Sequence, residues 1–211
     1  MKNEDIIDFS KLKDYLNENG LKISWLAQKV GQDQTRISQI IRNVNHPKTD
    51  LVARICSVLK VPPSAIVSFK LDENEKKKAW FDDRPAPFIV PENPTGELTY
   101  EPLWQLVSLY LGYINEKKNA SYCVSDIFDR IEPYRRRAGL TYSFNKETLQ
   151  KSLEARGLEN SKPKRKRKYV AKGLTPEMRT KLKNDRPLNI RAVYDICNFF
   201  GCSIDWVMSY R

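Results

Sequence analysis

The sequence contains little of the chemistry from which metal sites are built. It has one histidine, His46, and four cysteines, and no two cysteines form a Cys-x-x-Cys pair. A zinc finger would therefore lack its ligands. Only eight glycines occur, and they are not clustered, which excludes a glycine-rich phosphate-binding loop.

Catalytic constellations are equally scarce. His46 has no serine or cysteine partner at a spacing that suggests nucleophilic catalysis. Acidic pairs such as Asp82-Asp83 are more often solvated charges than active sites. We therefore predict neither an enzyme nor a cofactor. A two-metal nuclease, which gathers acidic residues beside basic grooves, stays open on sequence alone.

Long hydrophobic runs are also missing. No stretch is long enough to cross a bilayer, and the first residues, MKNEDIIDF, lack the layout of a signal peptide. We expect a cytoplasmic protein with no membrane partner. Cys56 and Cys197 fall on apolar helix faces, where buried free thiols are expected.

What the chain has in excess is positive charge. Its 37 basic residues face 26 acidic ones, which gives a net charge of +11. Such an excess favours an anionic partner, either nucleic acid or a membrane surface. Most of it lies in the second half, because 22 basic and 12 acidic residues follow from Thr99 onward.

Two short helices joined by a tight turn are predicted between Ile23 and Asn43. Ser24 is the expected cap of the first helix, Gly31 its stop and Asp33 the cap of the second. Apolar residues recur at helical spacing in both helices, at Trp25, Leu26, Ala27 and Val30 and at Ile37, Ile40 and Ile41.

The outer face of the second helix carries polar side chains and almost no acid. These residues are Gln34, Thr35, Arg36, Ser38 and Gln39. Amides, hydroxyls and a guanidinium on a helix that packs by its isoleucines suit the major groove of DNA. An ordinary solvated helix fits this stretch alone equally well.

Three further helices complete a pattern of five. One is predicted from Phe9 to Asn19, one begins at Thr49 as its cap, and a short one spans 64–69 after two prolines. The segments LAQKVG, TRISQIIRN and LVARICSVLKVPPSAI occupy successive helices. In these segments the chain resembles the lambda-repressor-like (Cro-type, XRE) helix-turn-helix family over residues 7–69. That resemblance favours DNA over the solvated-helix interpretation.

The resemblance implies a DNA-binding domain at residues 1–70 and assigns roles to individual positions. It places Gln34, Thr35 and Gln39 at base edges, with Arg36 and Ser38 beside them. A glutamine amide donates and accepts together, which matches the major-groove edge of adenine. The positions that touch phosphates in this family are Lys22, Asn43 and Lys48. The family often has glycine where this chain has Asn43, but asparagine also tolerates the left-handed backbone.

Residues 71–98 differ in composition from the sequence before them. Seven acidic residues face four basic ones, and four prolines fall within ten positions. This composition predicts a proline-rich linker rather than a helix or a central strand. Four large apolar residues are too hydrophobic for a free tether, so we expect docking on a domain by Trp80, Phe81, Phe88 and Ile89.

The remainder repeats the first domain. Residues 174–210 match 33–69 at a constant offset of 141, which equates Met178 with Ile37, and Tyr100 matches Phe9 at an offset of 91. The repeat predicts a second lambda-repressor-like domain at residues 99–211. Thr99 and Thr175, each followed by a proline in the first helical turn, are expected caps. The predicted fold class is all-α, with two helix-turn-helix domains joined by the proline-rich linker.

The change in offset predicts an insertion after the first helix of the second domain, at about 116–165. It would hold helices at 126–137 and 146–156. A competing alignment starts this domain at Asp126, with its second helix at 147–156, and leaves only the basic loop near Lys164 as insertion. The candidate DNA contacts of the second domain are Thr175, Arg179, Thr180, Lys181 and Lys183. A domain retained for packing or dimerisation is the alternative.

A dense basic run lies near the end of the predicted insertion. Six of seven consecutive positions are basic, at Lys162, Lys164, Arg165, Lys166, Arg167 and Lys168. Such a run repels itself, and we predict that it is disordered without a partner. It also fits a nuclear import signal, but a family typical of bacteria and phages favours DNA phosphates.

Two functional classes follow from the sequence. One is a sequence-specific DNA-binding transcriptional regulator, a repressor of bacterial, phage or mobile-element genes, with double-stranded DNA as its partner. The other is a protein-interaction module, such as an antitoxin, whose helix-turn-helix serves autoregulation. The acidic, aromatic linker would favour the second class. The family commonly binds as homodimers on two-fold sites, whereas two tandem copies could let one chain cover both half-sites.

Overall fold

The computed structural model describes residues 6–71, 88–132 and 173–211. These ranges form eight α-helices, two 3₁₀ turns and two antiparallel pairs of two-residue strands. The first range contains β1 (Ile7–Asp8), α1 (Ser10–Glu18), α2 (Ile23–Lys29), α3 (Gln34–Ile41), α4 (Thr49–Leu59), the 3₁₀ turn Pro63–Ala65 and β2 (Ser68–Phe69). The other two contain β3 (Leu98–Thr99), α5 (Glu101–Lys118), α6 (Val124–Arg130), α7 (Pro176–Lys183), α8 (Ile190–Phe200), the 3₁₀ turn Ile204–Trp206 and β4 (Ser209–Tyr210).

Apolar residues one helical turn apart hold the first half together. Leu12 and Leu16 of α1, and Ile37 and Ile40 of α3, are each at most 2% exposed. Their spacing is the one that the sequence predicted for a core-facing stripe. The free thiols of Cys56 and Cys197 are buried, as predicted.

Several local predictions were wrong. The expected helix at 64–69 is a 3₁₀ turn followed by β2, and the described fold is mostly helical. Ser24 lies inside α2, whose cap position is Lys22. Asp33 precedes α3, but its side chain makes no capping hydrogen bond. Thr49 is the first residue of α4, and its hydroxyl instead meets that of Tyr100 in the second half.

Two short strand pairs close the two halves in the same way. Ile7 of β1 lies opposite Phe69 of β2, and Leu98 of β3 lies opposite Tyr210 of β4. The offsets of 91 and 141 equate the same positions. The strands therefore repeat in register as well as in sequence.

The turn after α3 has a counterpart after α7, displaced by one residue. The Phe9 amide donates to the Asn43 side chain at 2.9 Å, and the Tyr100 amide donates to the Asp185 carboxylate at 2.8 Å. Asn43 and Asp185 both have a positive φ, of 57° and 48°. The offset here is 142, because the loop that leads to the next helix is one residue shorter in the second half. Leu182 thus takes the place of Ile40, and the predicted constant offset of 141 was wrong for α7.

α6 has the same relation to α7 that α2 has to α3. The amide of Gln32 donates to the carbonyl of Ala27 at 2.9 Å, and the amide of Leu174 donates to that of Phe128 at 2.9 Å. Gly173, with φ +72°, directly precedes Leu174 just as a glycine with positive φ precedes Gln32. The buried residues also correspond, with Ile127, Phe128 and Ile131 matching Leu26, Ala27 and Val30.

These correspondences show that the predicted position of the insertion, at about 116–165 after the first helix, was wrong. The extra residues of the second half fall between Glu132 and Gly173. The helix expected at 126–137 runs instead from Val124 to Arg130 and packs against α5. The helix expected at 146–156 lies outside the described residues.

The two halves hydrogen-bond directly to each other. The Thr49 amide donates to the Leu188 carbonyl at 2.9 Å, and the Ile190 amide donates to the Pro47 carbonyl at 3.3 Å. The Tyr100 hydroxyl lies 2.8 Å from the Thr49 hydroxyl, and burial raises the pKa of Tyr100 to about 12. The boundary between the halves is therefore packed and hydrogen-bonded.

The end of the predicted linker is held to the second half. Phe88 packs on Tyr210 with ring centroids 5.6 Å apart, as predicted, whereas Ile89 is 84% exposed, so its expected docking was wrong. The amides of Thr95 and Gly96 donate to the Arg211 carbonyl at 2.7 and 2.9 Å. The expected docking of Trp80 and Phe81 concerns residues outside the described ranges.

Candidate nucleic-acid interface

α3 presents the five predicted base-contact residues on one surface. Its three isoleucines are buried, which fixes the rotation of the helix about its axis. Among the polar residues, Gln34, Thr35 and Arg36 are exposed, and Ser38 and Gln39 are half-buried. All five thus lie on the part of the α3 surface that the buried isoleucines leave free.

Their hydrogen bonds divide these residues into two groups. The Arg36 guanidinium donates to the Gln32 side-chain carbonyl at 2.6 Å, and the side-chain amide of Asn45 donates to the side-chain carbonyl of Gln39 at 3.5 Å. The side chains of Gln34 and Thr35 make no hydrogen bond to another described residue. They have their full donor and acceptor capacity available to a ligand.

Sequence reasoning missed three residues at the rim of this surface. Gln32 orients Arg36, and Asn45 orients Gln39. Val44, in the loop after α3, is 72% exposed. The i, i+4 spacing of Gln32 and Arg36 was a signal that could have found that pair. The contact between Asn45 and Gln39 depends on the left-handed turn at Asn43, so the spacing of the two residues could not predict it.

The three predicted phosphate positions differ in availability. Lys22, at the start of α2, and Lys48, just before α4, are exposed. The side chain of Asn43 is instead used inside the protein, where it accepts from the Phe9 amide and donates to Asp8. Burial alone would raise the pKa of Asp8, but hydrogen bonds from Asn43 and Ser10 outweigh burial and lower it.

The corresponding helix of the second half has fewer free groups. The Thr175 hydroxyl accepts from the Met178 amide at 3.3 Å, as its predicted capping role requires. The Thr180 hydroxyl donates to the Pro176 carbonyl at 3.0 Å. Each hydroxyl therefore makes one hydrogen bond to the backbone of α7, which leaves only part of its capacity for a ligand.

Arg179 is held even more firmly inside the second half. Its guanidinium donates to the Ser125 hydroxyl at 2.8 Å, pairs with Asp129 and lies 5.9 Å from the centre of the Phe128 ring. A third N–H donates to the Leu174 carbonyl at 3.0 Å. The side chain of Arg179 thus joins α7 to α6.

Two lysines make up the remaining predicted contacts of α7. Lys183 is exposed, and Lys181 is half-buried and pairs with Glu177 at 2.7 Å. The hydrogen bond from Lys181 lowers the pKa of Glu177. The basic run at Lys162, Lys164, Arg165, Lys166, Arg167 and Lys168 lies outside the described residues.

Among the described residues, no group of histidine, cysteine, aspartate and glutamate side chains is arranged to hold a metal ion. None of the described helices combines the length and the apolar composition that crossing a membrane would require.

Comparison with known proteins assigns one part of the chain. A family model described as Helix-turn-helix matches residues 12–66, from within α1 to just past the first 3₁₀ turn. These residues form a Cro-type helix-turn-helix domain, in which α2 and α3 are the two helices of the motif. Such a domain is not catalytic and indicates DNA binding in transcriptional regulation. No curated protein and no solved structure matches the chain.

Proposed function

We propose that this protein is a sequence-specific DNA-binding regulator of transcription that acts as a repressor. The observation that carries the proposal is the face of α3, where unengaged Gln34 and Thr35 lie beside the oriented side chains of Arg36 and Gln39. Amide and hydroxyl groups at the start of a recognition helix can hydrogen-bond to base edges in the major groove. Gln34 and Gln39 are the residues to which we assign adenine contacts.

Two exposed lysines support DNA binding through the face of α3. Lys22 at the start of α2 and Lys48 before α4 flank the recognition helix in the chain. Contacts from such residues to phosphates fix the register of a protein on the duplex without specifying sequence. Repression needs only that the protein occupy a promoter, and this requires no further activity.

Selection of bound sequences from a random duplex pool tests the proposal. We expect a sequence motif to be enriched over successive rounds at physiological salt. A promoter that carries the selected motif should then lose reporter expression when the protein is produced. Recovery of a pool with no enriched motif would overturn sequence-specific binding, and an unchanged or increased reporter signal would overturn repression.

One observation favours a second candidate, a protein-interaction role such as that of an antitoxin. Ile89 is 84% exposed next to Phe88, which packs on the second half. Its neighbour Val90 is 40% exposed, so the two residues place adjacent apolar side chains at the surface, and exposed apolar patches mark protein-interaction sites. Copurification of an unrelated protein, and its loss from an Ile89→Ser variant, would support this role beside DNA binding.

A further inference from the structure

The contacts between the two halves are related by a local two-fold axis. The bonds from Thr49 to Leu188 and from Ile190 to Pro47 join the same two positions with the halves exchanged, because both pairs correspond at an offset of 141. Between them, one residue from each half forms an isolated antiparallel bridge, at Lys48 and Asn189. Reciprocal bonds between equivalent positions are the signature of an isologous interface. Here that interface lies within one chain.

The residues at this interface distinguish one half from the other. The hydroxyls of Thr49 and Tyr100 meet at 2.8 Å, and the amide of Leu188 donates to Thr49 at 3.0 Å. The residues equivalent to Thr49 and Tyr100 are Ile190 and Phe9, which have no hydroxyl. Two first halves could not reproduce this bond, since Phe9 would replace Tyr100. The interface is therefore complementary for unlike halves.

The same axis relates α3 to α7, because the bridged loops lead directly from these two helices. A two-fold rotation places the second helix as a partner recognition helix would be placed in a symmetric dimer. Their chemistry nevertheless differs. α3 offers free amide and hydroxyl groups, whereas the hydroxyls of Thr175 and Thr180 and the guanidinium of Arg179 are engaged internally. What α7 retains for a ligand is the charge of exposed Lys183, together with that of Lys181, whose surface ion pair with the 77% exposed Glu177 contributes little and can be exchanged for a phosphate.

We propose that a single chain binds one duplex site made of two unequal halves. The α3 surface recognises bases in one half-site, and the lysines of α7 hold phosphates in the other. This inference rests on the proposed DNA-binding function and gives its target a chemical description, a non-palindromic duplex. A lysine ammonium binds phosphate as a point charge and lacks the planar geometry suited to bidentate base recognition.

The stoichiometry of the complex tests the first part of the inference. Full-length protein and a duplex carrying the selected motif are mixed, and the mass of the complex is measured by native mass spectrometry and sedimentation. We expect one chain per duplex. The motif should contain one half-site of defined base sequence and, about one helical turn away, a second half-site in which the base sequence varies, here called the tolerant block. Two chains on a palindromic motif would overturn the inference while leaving the DNA-binding function intact. Absence of any complex would instead overturn the proposed function.

Paired variants test the second part. The double variant Lys181→Ala/Lys183→Ala should lose hydroxyl-radical protection on the tolerant block alone. Its slope of log affinity against log salt should fall by up to about 2, at roughly 0.9 for each phosphate contact. Lys117→Ala/Lys118→Ala, which removes the same charge from the end of α5, serves as the control and should keep the parental slope and footprint. Equal slopes for the two double variants would refute the role of α7.

Discussion

Ser64 and Asp205, which lie 141 positions apart, hydrogen-bond to each other across the boundary between the two halves. The amide of Ser64 donates to one carboxylate oxygen at 2.9 Å, and its hydroxyl donates to the other. Burial raises the pKa of Asp205 above its ordinary value of 3.8, and the bonds from Ser64 oppose that rise. The carboxylate is thus an ionisable group inside a packed boundary.

The first prediction concerns the pH dependence of stability at this residue. The pKa of Asp205 is higher in the folded state than in the unfolded state. Its contribution to the free energy of unfolding is therefore greatest below about pH 3.8 and is lost as pH rises through the pKa of the folded state. Asp205→Asn removes this titration and keeps the shape of the side chain. The free energy of unfolding of the variant minus that of the parent should therefore rise with pH in the acidic range and then level off. Urea titrations at a series of pH values measure it.

A companion variant checks that Ser64 is responsible for the opposing effect. Ser64→Ala removes a donor that stabilises the ionised carboxylate. In the Ser64→Ala background, the difference in the free energy of unfolding between Asp205→Asn and its parent should therefore keep rising to a higher pH before it levels off. A difference that stays constant with pH in both backgrounds would contradict a raised pKa at Asp205.

The second prediction concerns recognition by α3. Gln34→Ala and Gln39→Ala should each weaken binding to the selected duplex by roughly 1–3 kcal/mol and leave binding to random duplex nearly unchanged. The reason is that base contacts specify sequence, whereas phosphate contacts supply most of the non-specific affinity. Gln105→Ala, on the exposed face of α5, is the matched control. Binding titrations with the selected and the random duplex measure both affinities. Equal losses of affinity on the two duplexes would rule out base readout by these glutamines.

The third prediction compares two glycines in equivalent turns. Gly31 and Gly173 have φ of +65° and +72°, but a Cβ at Gly31 would meet nothing within 4 Å. A Cβ at Gly173 would lie 2.2 Å from the backbone carbonyl oxygen of Phe128. Gly31→Ala should cost about 1–2 kcal/mol through its left-handed backbone, and Gly173→Ala clearly more. Chemical denaturation measures both, and a Gly173→Ala variant no less stable than Gly31→Ala would show that α6 and α7 do not approach as described.

The first half could be predicted closely because its order is local. Leu12 and Leu16, like Ile37 and Ile40, lie one turn apart on their helices, so their spacing alone predicts which side of each helix is buried. The outward face of α3 follows from the same pattern. Its hydrogen bond to Asn45 does not, because that bond depends on the conformation of the turn between them.

The second half could be predicted only in part because its order depends on distant residues. Phe128 contacts Leu174 across more than forty intervening positions, so no pattern at a constant offset joins α6 to α7. A helix of seven residues also carries too few apolar positions to be recognised by itself. The engagement of Arg179 by Asp129 spans the same gap. Sequence reasoning therefore assigned Arg179 to DNA, whereas the structure places it in an ion pair.

The last prediction concerns the basic run, which stays a prediction from the sequence. Its charge density favours contact with phosphates through counterion release, with each contact adding about 0.9 to the salt slope on duplex DNA. Not every side chain can face one strand, so we expect roughly two to four contacts from Lys164, Arg165, Lys166, Arg167 and Lys168. Alanine at all five should lower the slope by about 2–4 while base preference stays constant. Alanine at Lys76, Lys77 and Lys78, in the predicted linker, is the control for lost charge. Coincident slopes for parent and five-alanine variant across a salt series would exclude DNA contact and favour an acidic protein partner for the run.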